Sequence, residues 1–184
     1  MSRFLQYGGI LASVVLIVFG AGSIVTGING RDRVQNDLKR EQIVGTPDST
    51  IPNQLVDNGS KAEAFAKVMR KHTLEATGGQ TYAQMPRYQG KDGKPTNDVK
   101  QAATNPKSGQ PVDNPLRNLW VTETALTTAL NTSYFAESVA TFAIVMGIAL
   151  MLTGAGFLVL TLRVLRRFGE SPEEAPAAVP ALSS

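Results

Sequence analysis

The chain has 184 residues, 42% of them hydrophobic and only 18% charged, with a formal net charge of +3, one histidine and no cysteine. The absence of a run of five or six basic residues argues against a nucleic-acid partner, and the lack of cysteine excludes a disulfide framework, a thiolate nucleophile and a thiolate metal site. Mean hydropathy is near zero because two almost purely apolar stretches are diluted by a polar remainder, the profile of a small membrane protein.

After a short N-terminus (residues 1–7), the first apolar stretch is GGILASVVLIVFGAGSIVTGI, residues 8–28. It is uncharged and long enough for a bilayer core of about 30 Å, and a backbone without water must be helical there. With one charged residue before it, Arg3, and no small-x-small cleavage site after it, it reads as a retained signal anchor rather than a cleaved signal peptide. The helix is expected to run on through RDRVQNDLKREQIV until Thr46-Pro47 and Ile51-Pro52 break it.

Ser60-Lys-Ala-Glu63 is a capping-box signature opening a second, shorter helix. Ala62, Phe65, Ala66, Met69, Thr73 and Ala76 form its apolar stripe, and Gly78-Gly79 ends it. Residues 86–114, rich in Gly, Pro, Asn and Lys, read as an exposed, mobile insertion. Asp113-Asn114-Pro115 then restarts a helix with an acceptor cap and a first-turn proline. Leu116, Leu119, Leu126 and Leu130 give it an a/d pattern that Glu123 interrupts. No breaker separates it from the second apolar stretch, VATFAIVMGIALMLTGAGFLVLTL at residues 139–162, so one helix is expected from Pro115 to about Arg167. Residues 163–184 comprise a basic juxtamembrane segment and a Pro/Ala-rich tail expected to be disordered.

The fold class expected is therefore an all-α membrane protein: an antiparallel two-helix transmembrane hairpin with helical extracytoplasmic stems (residues 29–138) and one short packed helix. Basic residues flank both sides of the spans, with Arg3, Arg163, Arg166 and Arg167 against Arg31, Arg33, Lys39 and Arg40. Long loops translocate largely regardless of charge, so both termini are placed in the cytoplasm of a multi-pass cell-membrane protein. Tyr7 and Phe168 on one side, and Tyr134 and Phe135 on the other, suit the interfaces.

Small residues recur every seven positions in both spans: Ser13, Gly20 and Gly27 in the first, Ala140, Gly147 and Gly154 in the second. An antiparallel pairing sets Gly27 level with Ala140, Gly20 with Gly147 and Ser13 with Gly154. Such a seam lets backbones approach where lipid supplies no hydrophobic drive, and its period implies a left-handed crossing. The same faces could serve a homodimer or a larger complex. Neither span carries an ionisable residue, which disfavours a pump or transporter built from this chain alone.

The one histidine, His72, lies three residues from Glu75 on the second helix, with Tyr82 beyond it and Trp120 on the third helix as a further contact candidate. One histidine without cysteine cannot furnish a zinc site or a facial iron triad within a monomer, and no G-x-S-x-G turn exists. No catalytic, metal or cofactor residue is therefore assigned.

HTLEATGGQTYAQM, RNLWVTETALTTALNTSYFAESVATFAI and the DRVQNDLKREQI continuation of the first span resemble a family of small two-span actinobacterial membrane proteins. Its members often carry the label of aromatic ring-opening dioxygenase. The resemblance implies the two-span topology. The label implies an iron site, which this residue inventory does not supply. The function expected is a non-enzymatic interaction or accessory subunit of the cell envelope, with the bilayer and a membrane-protein partner or a second copy as its contacts. A sensor or ligand-binding module around His72, Glu75 and Tyr82 is the alternative, and a metal-dependent enzyme formed by oligomerisation comes third.

Overall fold

The computed structural model describes residues 2–169, with side chains from residue 7 to 163. The expected disordered tail, and the side chains of Arg3, Arg166, Arg167 and Phe168, lie outside those described. Three helices account for most of the chain: α1 (Ser2–Arg40), α2 (Gly59–Ala76) and α3 (Pro115–Gly169). The chain divides into two compact units, one formed by the chain up to Thr26 with the chain from Ala143 onward, the other by Gly27–Phe142. α1 and α3 are each long and apolar enough to cross a membrane.

In the first unit the two helices touch through small residues. Ser13, Gly20, Gly147 and Gly154 are all buried. A Cβ added at Gly20 would stand 2.6 Å from the Gly147 carbonyl oxygen, and one at Gly154 would stand 2.9 Å from the Ser13 carbonyl oxygen. Gly9 lies against Thr161, so positions rise along α1 as they fall along α3. Glycine is required at Gly20, Gly147 and Gly154 because backbone meets backbone there with no room for a methyl group.

In the second unit, α1 ends at Arg40 rather than continuing through Val44. Gln42 takes a left-handed conformation (φ 54°), and its side-chain amide donates to the Lys39 carbonyl at 2.7 Å. That caps one of the carbonyls a helix end leaves open, four residues before the expected stop. The chain then folds back on itself, with Val44 bridging Leu55 and the Val56 amide donating to the Ile43 carbonyl at 2.8 Å. Val56 is fully buried in a core with Leu38, Ala62, Ala66 and Leu130.

α2 begins one residue before the capping-box reading. Its N-cap is Asn58, whose side chain accepts from the Lys61 amide at 3.0 Å. Glu63 instead pairs with Lys67 at 2.8 Å. Asparagine is a strong cap, and Gly59 lies so close to α3 that an added Cβ would be 2.8 Å from the Tyr134 Cα. The helix therefore starts where Gly59 permits contact. Ala62, Ala66 and Thr73 of the expected stripe are buried, Phe65 and Met69 half-buried and Ala76 exposed, while Val68 is buried without having been included.

Residues 86–114 carry more structure than their composition suggests. β1 (Tyr88–Gln89) pairs antiparallel with β2 (Pro95–Thr96), turning through Asp92-Gly93 with Gly93 at φ 81°. Further bridges join Gly90 to Ala102 and Thr104 to Pro111. An Asp-Gly turn is a hairpin signal that a purely compositional reading passes over. The all-α expectation is corrected here by a small two-stranded element. Asn114 caps α3, accepting from the Leu116 amide at 3.1 Å.

The a/d leucines of α3 are corrected as well. Leu116, Leu119 and Leu126 are exposed, and the buried positions of its part in the second unit are Trp120, Glu123, Leu130, Glu137 and Ala140. Glu123, Leu130 and Glu137 share one heptad position. The interruption seen in the sequence therefore belongs to the packed face rather than breaking it.

Candidate functional site

The four residues nominated as a contact surface do not form one site. His72 Nε2 donates to Asp48 Oδ2 at 2.9 Å, and Lys71 Nζ donates to the same oxygen at 2.8 Å. The Lys71 ammonium, His72 and the Thr46 hydroxyl together hold the Asp48 carboxyl well below the usual carboxylate range, and Asp48 in turn raises Lys71. Glu75 reaches only Lys71, at 3.9 Å. This is a solvated ion cluster that ties α2 to the loop after α1. Exposed pairs of this kind contribute little to stability.

Tyr82 belongs to a different place. The Arg117 guanidinium stacks 3.9 Å from the Tyr82 ring centroid, and both line a polar cavity of about 380 Å³ with Arg87, Asp113 and Asn118. Trp120 is 3% exposed, which removes it from any exposed contact surface. Its indole N–H donates to the Gln80 carbonyl at 3.0 Å, and Arg70 lies 5.2 Å from its ring centroid. Asn114 and Arg117 likewise donate to the carbonyls of Pro86 and Met85, at 2.9 and 3.0 Å. Spaced three apart on one helix face, Asn114, Arg117 and Trp120 strap the segment from Gln80 to Pro86 to the start of α3.

Two features were not legible as sites in the sequence. The first is Glu137, a nearly buried carboxylate that accepts from the Gly59 amide, from Gln35 Nε2 at 2.8 Å and from Arg31 Nε at 3.1 Å. Burial pushes its carboxyl up, but the Gly59 amide, Gln35 and Arg31 outweigh that and leave it below the ordinary glutamate range. It joins α1, α2 and α3 at a single side chain. A glutamate two residues before an apolar run was the available signal. The second is an apolar cavity of about 530 Å³ among Leu38, Ile43, Phe65, Met69, Leu126 and Leu130, with Asp37 and Glu41 also in its wall. The half-buried Phe65 and Met69 and the exposed Leu126 line this space, which explains why their stripes are incompletely covered.

The seam residues divide between the two units. Ser13, Gly20, Gly147 and Gly154 make the contacts described in the first unit. Gly27 and Ala140 are buried in the second, where the Ala140 methyl lies 3.7 Å from a Cβ built on Gly30. Among the described residues, no cluster of three histidine or carboxylate side chains is arranged to hold a metal ion. No protein-family model matches this chain, and neither a curated protein nor a solved structure does.

Proposed function

We propose that the chain is a non-enzymatic integral membrane protein of the cell envelope, a helical-hairpin interaction or accessory subunit with both termini cytoplasmic and residues 29–138 outside. One observation carries this reading: only 11% of the most apolar window of each long helix is buried. The core helix of a soluble protein would be covered by other protein. Here Leu11, Val18, Phe19, Leu152 and Leu160 of the first unit lie open, and exposed apolar side chains in such number suit lipid or a partner helix. The seam of small residues supports the hairpin, since it supplies the close packing that association in lipid requires. The resemblance to the two-span actinobacterial membrane proteins belongs to the same reading.

The test is to solubilise the intact protein in mild detergent after crosslinking in the membrane. The accessory-subunit reading expects a reproducible protein partner or a defined homo-oligomer. Monomer alone, with nothing crosslinked, counts against it. The second reading, a ligand-binding or sensor module, is favoured by the apolar cavity rather than by His72, Glu75 and Tyr82, which stand apart.

A further inference from the structure

The apolar cavity of the second unit has the size and lining of a small-molecule site. A half-open space of about 530 Å³ is lined mainly by aliphatic and aromatic side chains, within the size range of small-molecule pockets. Its charged groups carry a single sign. Asp37 lies in the last turn of α1 and Glu41 follows directly after its end, and both line the cavity. Asp37 is bridged by Arg40, whose side chain is 76% exposed and so competes weakly from solvent. Glu41 has no ion-pair partner among the described residues. The remaining polar side chain, Ser133, donates its hydroxyl to the Ala129 carbonyl at 3.1 Å.

We propose that this cavity binds a lipophilic cation: an aliphatic chain lying against Phe65, Met69 and Leu130, with a primary ammonium group received by Glu41 and Asp37. An amphiphile with an anionic head would set its own carboxylate against Glu41 and Asp37, both exposed, a repulsion that solvent reduces without removing. A neutral head would gain the apolar contacts but not the ion pair. The site needs only residues of the second unit and is independent of what the chain assembles with.

The test uses the full chain in nanodiscs of neutral phospholipid, titrated calorimetrically with octylammonium, octanol and octanoate, with empty nanodiscs subtracted. Octylammonium is expected to bind roughly tenfold tighter than octanoate, with octanol between them. Glu41→Gln should shrink that gap to about threefold or less and leave octanol unchanged. Ala129→Trp, placed at an exposed position of α3 that borders the cavity, should abolish saturable binding of all three with the helical circular dichroism intact. Octanoate binding as tightly as octylammonium, no saturable binding above the empty discs, or an undiminished preference in Glu41→Gln would overturn the proposal. So would a cavity closed to all three probes but shielded by a co-purifying protein, which would make it a groove for a partner.

Discussion

At the scale of single residues, Glu137 is a side chain that ties three helices of the second unit together. Its carboxylate satisfies the Gly59 amide, Gln35 and Arg31 together, so its removal strands three donors at once. Glu137→Ala should destabilise the protein by about 2 kcal/mol, read as a lower unfolding midpoint in mild detergent. Glu137→Gln, which keeps an acceptor, should lose less. The sign with pH follows from the lowered carboxyl. A group ionised more readily in the folded state contributes stability above its unfolded value of about 4.3, and that contribution disappears as pH falls through the folded value. Between about pH 5 and pH 3 the wild type should therefore lose more stability than Glu137→Ala. Asp48 shifts in the same direction, but its ion pairs are exposed and screened by solvent, so it adds little to this dependence.

At the scale of elements, the close contact between α1 and α3 in the first unit gives a sharp contrast between neighbouring glycines. A Cβ at Gly20 meets the Gly147 carbonyl oxygen at 2.6 Å and Met151 Cγ at 2.8 Å, whereas one at Gly22 meets nothing within 4 Å. Gly20→Val should cost about 2 kcal/mol by overpacking, while Gly22→Val should stay within about 0.5 kcal/mol of wild type. Thermal unfolding of both variants in the same detergent measures the difference. The helices were readable because their signals are local: uninterrupted apolar runs, the Asn114-Pro115 start, the Gly78-Gly79 stop. Other features depended on contacts made elsewhere in the chain. Asn58 rather than Ser60 caps α2, and Gly59 beside it packs against Tyr134. Glu123 and Glu137 entered the packed face of α3 as polar residues, which a search for apolar periodicity counts as gaps. The strand pair at Tyr88–Gln89 and Pro95–Thr96 is held by backbone hydrogen bonds in a segment with few large apolar residues. The cavity arises from the incomplete covering of Phe65, Met69 and Leu126, and no one-dimensional pattern encodes that.

For the molecule as a whole, the central claim is that both apolar helices cross a bilayer and leave the middle of the chain outside. The absence of native cysteine makes every introduced thiol unique, so a membrane-impermeant maleimide reports sidedness without background. Lys107→Cys, in the exposed segment before α3, and Ser184→Cys, in the C-terminal tail, should be labelled separately in intact cells and again after permeabilisation. The account predicts that Lys107→Cys reacts in intact cells and Ser184→Cys reacts only after permeabilisation. The reverse pattern, or both positions reacting from the same side, would contradict it.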